Sequence, residues 1–405
     1  NYWATPEGTG FSQLNYDISG DGICDSSYSL DSDNIDILPL TANTISSPDY
    51  PRTLTVDDSG GADYTSIQAA VDAAFPGESI LVSPGSYNEN IDVGKQLTIT
   101  SADGASATNV IAVSADDNVF EVTANSVTIS GFSINGAGSE TEDNAAIFLN
   151  SDNNIITDNI VSDTEFGICA YYSDDNEINE NSMQNSNILL YSASSNVLSD
   201  NTVSKGMIIL SAGGNNVLSG NVVDGGNYGI NLHSSTENTI NDNVLTGNSA
   251  VAVVLDGADS NTLSGNTLSG GEYGIEMMAS SCVLTGNTIS DNDYGISMRY
   301  SDNNVIYNNI FDNDANIVIE TTNRGNLWNT EQTAGLNIIG GAYLGGNYWA
   351  TPEGTGFSQI NYDSDGDGIC ESTYVMDSDN VDYLPLTPNE ASKSGTNSNH
   401  RFSNS

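Results

Sequence analysis

The feature that most restricts how this chain can fold is a short internal repeat. The pattern Asn-x-(Ile/Leu)-x-x-Asn recurs as Asn154/Ile156/Asn159, Asn176/Ile178/Asn181, Asn196/Leu198/Asn201, Asn216/Leu218/Asn221, Asn238/Ile240/Asn243 and Asn261/Leu263/Asn266, then as Cys282/Leu284/Asn287 and Asn304/Ile306/Asn309. The second Asn advances by 22, 20, 20, 22, 23, 21 and 22 residues. Two positions after it stands another apolar residue: Val161, Met183, Val203, Val223, Leu245, Leu268, Ile289 and Phe311. A third apolar pair, such as Ile188/Leu190 or Ile230/Leu232, precedes the first Asn. Each repeat therefore carries three short alternating strands separated by Asn, Gly, Asp and Ser turns, in a coil too short to hold a helix. An all-β chain is predicted, a parallel β-helix with three strands per coil. Successive coils would stack about 4.8 Å apart, so equivalent residues form columns.

Stacking gives the Asn columns a physical purpose. An inward Asn at a turn can bond the backbone of its own coil and the amide of the next Asn, forming a ladder that satisfies buried polar groups. Cys282 stands in a ladder position and reads as a small buried residue. Cys169 lies five coils earlier, on the order of 24 Å away at that spacing, far beyond the roughly 7 Å Cα limit for a disulfide. The remaining cysteines, Cys24 and Cys370, lie near opposite ends, and no CxxC pair suggests a zinc site.

The 405 residues carry 54 Asp+Glu against 7 Lys+Arg, a formal net charge of -47. The imbalance is a shortage of bases, since acids are at an ordinary level and Asn, Ser, Thr and Gly fill the surface instead. Nucleic acid and anionic lipid are thereby disfavoured as partners, because both need clustered Lys/Arg; divalent cations are favoured. No apolar run approaches the roughly 18 residues of a membrane span, and Asn1-Tyr2-Trp3 lacks the basic-then-apolar pattern of a signal peptide, so the chain reads as mature and soluble.

Upstream of the coils, Asp58 to Phe75 reads as a short amphipathic helix near 65–75 with Thr65-x-x-Gln68 as its capping box and Ile67, Ala70, Val71 and Ala74 as its apolar face. Such a helix would cover the open end of the solenoid. With the strand residues Ser79 to Tyr87 and the Asn repeats, residues 53–345 resemble the NosD-like and CASH (carbohydrate-binding and sugar hydrolysis) repeats of the pectin-lyase-like superfamily. The resemblance implies right-handed coiling.

Residues 1–41 and 347–387 align without gaps at an offset of 346 and differ at nine positions. Both contain Asn-Tyr-Trp-Ala-Thr-Pro-Glu-Gly-Thr-Gly-Phe-Ser-Gln, an acidic Gly-rich loop and Leu-Pro-Leu-Thr. This is a duplicated module. Five parts follow: modules at 1–41 and 346–387, a linker at 42–52, the β-helix at 53–345, and a polar tail at 388–405 that reads as disorder. In the second copy Asp363, Asp365, Asp367, the Ile369 carbonyl and Glu371 follow the spacing of an EF-hand loop. Position twelve is Tyr374, so the bidentate Glu is missing, and Asp377, Asp379 and Asp382 are candidates to complete a Ca²⁺ sphere. The first copy offers Asp17, Asp21, Ile23 and Asp25, one charged ligand fewer and so weaker binding. These duplicated modules beside NosD-like coils resemble archaeal cell-surface β-helix proteins, which implies an extracellular, envelope-associated location.

Pectin-lyase-like enzymes are implied to work on an outward face of the coils with acids and an Arg or Lys. One outward column places His233 beside Asp256 with Arg299 two coils further; these are the catalytic candidates, and a solvated outer column explains them more simply. A second column, Phe166, Tyr228, Tyr273 and Tyr294, could stack on sugar rings or simply pack at a corner. The residues together favour a non-enzymatic, calcium-stabilised surface protein that self-associates through its end modules and contacts cell-surface polysaccharide. The alternative is a polysaccharide lyase, hydrolase or carbohydrate-binding β-helix.

Overall fold

The computed structural model describes residues 1–5, 11–14, 24, 28–31, 34–36, 39–41, 51–138, 144–321 and 323–389. The loop candidates Asp17, Asp21, Ile23 and Asp25, the linker from 42 to 50 and the tail from 390 lie outside the described residues.

Three parallel sheets run the length of a β-solenoid. The first has 12 strands, from Thr53–Val56 through Glu177–Asn179 to Val305–Tyr307. The second also has 12, from Gly85–Asn88 to Tyr348–Ala350, and the third has 11, from Ile91–Val93 to Ala315–Ile319. Registers follow the repeat: Ile178 pairs with Leu198 in the first sheet and Met183 with Val203 in the second. In the third, Ile188 pairs with Ile208. The apolar residues of all three strands per coil meet in one continuous buried core.

The Asn ladders run in two long columns, with a short third one at Asn292 and Asn313, and each full rung is made the same way. The backbone N–H and Nδ2 of one Asn both donate to Oδ1 of the Asn one coil further on. Asn181 reaches Asn201 at 3.0 and 3.1 Å, and Asn201 reaches Asn221 at 3.0 and 3.0 Å. The same Nδ2 also donates to a core carbonyl, Ile178 in the case of Asn201. Cys282 receives its rung, donating its N–H to Asn304 Oδ1 at 2.8 Å, but has no amide to offer Asn261. Instead its thiol faces the Ala258 carbonyl, and burial pushes its pKa up to about 11. All four cysteines are buried.

The backbone before each ladder Asn explains the composition of the turns. Asn153, Asp175, Ser195, Asn215, Glu237, Ser260, Ser281 and Asn303 precede one column; Asp158, Glu180, Asp200, Gly220, Asp242, Gly265, Gly286 and Asn308 precede the other. All sixteen have φ between 55° and 70°. This left-handed conformation is least costly for Gly, Asn and Asp. Six of the sixteen are acidic, Asp158, Asp175, Glu180, Asp200, Glu237 and Asp242, so part of the coil's acidic content sits at these corners.

The solenoid is closed at both ends. Ile67–Ala73 form a helix whose Ile67, Ala70 and Val71 are buried against the first strands, with Ala74 beside them. Its N-cap is Ser66, not Thr65: the Ser66 side chain accepts from Ala69 N, while the Ile67 and Gln68 N–H groups donate to the Glu89 carboxylate at 2.8 Å each. The Thr65/Gln68 capping box is thus replaced by a long-range cap from the first coil, and Gln68 Nε2 bonds Asp72 instead. At the other end Tyr348–Ala350 continue the second sheet against Ile310–Asp312, and Asn347 Oδ1 accepts the last rung from Asn309. Trp349 stacks on Phe311 at 4.7 Å and 7°, and Trp328 lies beside it, both fully buried.

Two opposite substitutions test the ladder. Asn201→Ala orphans the buried Asn181 N–H and takes one partner each from Asn181 Nδ2 and the Ile178 carbonyl, and should cost about 3 kcal/mol in denaturant unfolding. Cys282→Asn completes a missing rung and should raise the stability by about 1 kcal/mol in the same measurement.

Candidate functional site

The acidic loop of the C-terminal module folds around Asp363. Its Oδ1 accepts from Asp365 N and Gly366 N at 3.1 and 2.6 Å, and its Oδ2 from Gly368 N at 2.6 Å. Gly366 and Gly368 have φ of 89° and 87°, which bends the backbone so that its N–H groups face one carboxylate. Burial alone would raise the pKa of Asp363, but the donors from Gly368, Gly366 and their neighbours outweigh it and hold the carboxylate below its ordinary value. The negative charge of Asp367 pushes the Asp365 carboxyl the other way, upward. Glu371 is drawn in by Ser364, whose N–H and hydroxyl both donate to its Oε1.

Ligand oxygens of Asp363, Asp365 and Glu371 consequently lie within 4.8 Å of one another. The structure brings these three candidates together and directs the others elsewhere. Asp367 accepts from Ile369 N at 2.8 Å and from Gln332 Nε2 at 2.7 Å. Ile369 is held in an antiparallel bridge with Leu386. Asp377 caps its own turn, accepting from Asp379 N and Asn380 N, and the Asp379 carboxylate is outside the cluster. Tyr374, where an EF-hand would place its bidentate Glu, packs its ring on Trp349 and Phe357.

Asp382 has a different task. It is fully buried and accepts from Asn347 N at 2.8 Å, Trp349 Nε1 at 2.8 Å and Leu384 N at 3.1 Å, pinning the module to the ladder end. Burial pushes its pKa up to about 7 despite these donors. Gly346 is obligatory beside it, since a Cβ there would stand 1.9 Å from Asp382 Oδ1.

On the third sheet His233 and Asp256 are neighbours in register and join through Nδ1 and Oδ2 at 2.9 Å, with side chains 60% and 44% exposed. Arg299 is turned away from them, its guanidinium paired with Glu320 on the next coil. Tyr273 and Tyr294 stack at 5.0 Å and 19°, whereas Val251 separates Tyr228 from Tyr273 in the register, and Phe166 pairs with Asn187. A larger aromatic group was not singled out by the sequence as a sugar platform. Tyr171 and Tyr191 stack at 4.6 Å and 9°, Phe148 lies beside Tyr171, and Tyr172 meets both tyrosines edge-on. Tyr172 is 62% exposed at a φ of 50°. Its signal was a Tyr-Tyr pair where most other coils place Ser, Ala or Gly after the column residue.

Residues 111–268 match the family model "Right handed beta helix region", and residues 204–354 match "Periplasmic copper-binding protein (NosD)". The coils are NosD-like right-handed β-helix repeats. The copper of that family's description does not fit the donors found here. Among the described residues the one group of three potential ligands is all carboxylate, and copper prefers imidazole, thiolate or thioether. A 75-residue stretch is 43% identical to the "Cell surface glycoprotein" of the archaeon Methanothermus fervidus, covering 18% of this chain and 12% of that protein. Among solved structures, DFA-IIIase from Arthrobacter chlorophenolicus without its lid superposes with a TM-score of 0.51 at 14% identity, over 64% of this chain and 87% of that one. An alginate lyase from Paenibacillus gives a TM-score of 0.39 at 12% identity, over 68% and 94%. The first of these likenesses is one of fold alone, that of an all-β parallel β-solenoid.

The Asp382 site makes a pH prediction. A carboxyl whose pKa is raised from 3.8 to about 7 on folding is charged more easily in the unfolded chain. Its contribution to stability is then complete below the unfolded pKa and is lost as pH rises through the folded one. The thermal stability of the C-terminal module should fall as pH rises from about 4 to 7, and Asp382→Asn should flatten that slope in pH-resolved melts.

Proposed function

We propose that this chain is a non-enzymatic structural protein of a cell surface, a stiff β-helix stabilised by Ca²⁺ at its end and assembled through its duplicated modules. The observation that carries the reading is that the duplicated sequence is the element that closes the solenoid, and that the convergent carboxylates Asp363, Asp365 and Glu371 lie inside it. Three hard oxygen donors beside a tight Gly turn suit Ca²⁺, with loop carbonyls and water available for the rest of its shell. The mutual repulsion that raises Asp365 is relieved by a divalent ion. The similarity to a cell surface glycoprotein supports an extracellular location. No helix among the described residues is long and apolar enough to cross a membrane. Against catalysis stand the solvent-open His233/Asp256 pair and the engagement of Arg299 with Glu320.

Calcium in excess should raise the melting temperature relative to chelator, by the equivalent of about 2.7 kcal/mol at a hundredfold excess over Kd. Asp363→Asn with Glu371→Gln should abolish the difference. Identical melts of the unsubstituted protein with and without calcium would sink the calcium reading. Electron micrographs in calcium should show rods or filaments, and isolated compact particles at every concentration would count against assembly.

One observation favours a second reading, glycan binding on the third sheet. Flat, partly exposed tyrosine stacks at 171/191 and 273/294 match the apolar face of a pyranose. Tyr171→Ala with Tyr172→Ala should remove binding to surface polysaccharide in a glycan array without lowering the melting temperature by more than a few degrees. Unchanged binding rules out this face.

A further inference from the structure

The outer face of the first sheet is unusually uniform. Ten of its strands, from Thr98–Ser101 to Val305–Tyr307, pair in parallel, and none of the nine pairings contains a register shift. The apolar residue at the centre of each strand, from Ile99 to Ile306, is buried in the core, and the residues flanking it stand outward in two columns. One column runs from Thr98 to Val305. It is β-branched at every coil except where Glu177 stands, and Val or Ile fills half of it, with Ile155 and Val197 each 37% exposed. The other column runs from Thr100 to Tyr307 and carries a hydroxyl or a carboxamide at every coil, with no aliphatic residue. Strand propensity favours β-branched residues in both columns alike, so it does not explain why the aliphatic ones are confined to one.

Charge is sorted as sharply as shape. Glu177 is the one charged residue among the twenty outward positions of these ten strands. The second sheet places Asp224 and Asp312 on its outer face, and the third places Glu121, His233, Asp256 and Glu276 there. The corner beside the first sheet is acidic, with Asp158, Glu180, Asp200 and Asp242. A chain of formal charge -47 repels its own copies, and two copies approach at least cost where that charge is missing. The interior of a protein interface is likewise depleted of charged residues.

We propose that this face pairs with the same face of a second copy, giving a side-by-side dimer with two-fold symmetry and antiparallel solenoid axes. A two-fold axis running along the strands lays the β-branched column on its own counterpart and the hydroxyl column on its own, with the sheets about 10 Å apart. Parallel solenoids would set each column against the other kind. Ten strands about 4.8 Å apart and three residues wide offer roughly 430 Å² per copy, about half the 800 Å² of a standard interface, so the pair is weak and forms at high concentration. The contact goes beyond the assembly reading above, because it lies along the side of the solenoid and leaves the end modules free.

Analytical ultracentrifugation of the full chain should show a monomer–dimer equilibrium that tightens as salt rises, because salt screens the acidic corners and leaves the neutral contact intact. Val197→Glu with Thr262→Glu, three coils apart on the β-branched column, should raise the dissociation constant about tenfold or more. Ser211→Glu with Asn231→Glu puts the same added charge on the third sheet and should leave it unchanged. Where the first variant loses its β circular dichroism, Ser219→Cys labelled with a bulky maleimide after folding tests the same face, since the native cysteines are buried, and the labelled protein should be monomeric. A chain that is monomeric at every concentration and salt overturns the proposal, as does a folded face variant or a labelled protein that dimerises as tightly as the unsubstituted chain. Equal weakening by the third-sheet variant also overturns it. Association through the end modules responds to neither face change, so loss of the module reading and loss of this one are separable.

Discussion

Everything in this molecule depends on a carboxamide satisfying two neighbours at once. A ladder Asn such as Asn201 uses Oδ1 to accept two N–H groups from the coil before it and Nδ2 to reach both a core carbonyl and the coil after it. Turn backbone that would otherwise be orphaned in a dry interior is thereby paired. Aspartate would lack the donor and serine the reach. The identity of the residue is fixed by this double duty, and the period of the sequence is fixed by the distance around one coil.

From that constraint the rest follows in order. A ladder Asn must turn inward at a corner, which puts the preceding residue in the left-handed region and selects Asp, Asn, Gly and Ser there. A column of like residues at strand spacing leaves little tolerance for charge in the walls, so neutral Ser and Thr fill them and bases are almost absent. A solenoid built this way leaves two open ends, and the chain closes one with a helix capped by Glu89 and the other with Trp349 fixed by Asp382 and Trp328 fixed by Asn380. The site with metal-ligand character lies in the closing element, which ties the ionic state of a surface loop to the integrity of the core beneath it.

Most of the solenoid was legible because periodicity is written in residue type: the strands of all three sheets and Cys282 as a ladder substitute stand where the repeat places them. What was not legible depended on contacts distant in sequence. Thr65/Gln68 matched a local capping pattern, but Glu89, folded back from the first coil, supplied the cap. Asp382 matched a run of ligands, yet burial by Trp349 and Asn347 made it a clasp. The Tyr171/Tyr172/Tyr191 group spans two coils, and only the register shows its rings to be in contact.

The ladder also bears on how long such a protein lasts. Asparagine ages chemically when the following backbone nitrogen attacks its side chain, and the product, aspartate, would place a lone carboxylate in a dry stack with no amide to hand on. The residues that follow the ladder Asn are Ile, Val or Thr in nearly every coil, for instance Asn201-Thr202, Asn221-Val222 and Asn243-Val244, and each begins a hydrogen-bonded strand. β-Branched neighbours held in extended geometry obstruct that attack. The strands that give the coil its shape thus also shield its most vulnerable side chains from chemical ageing.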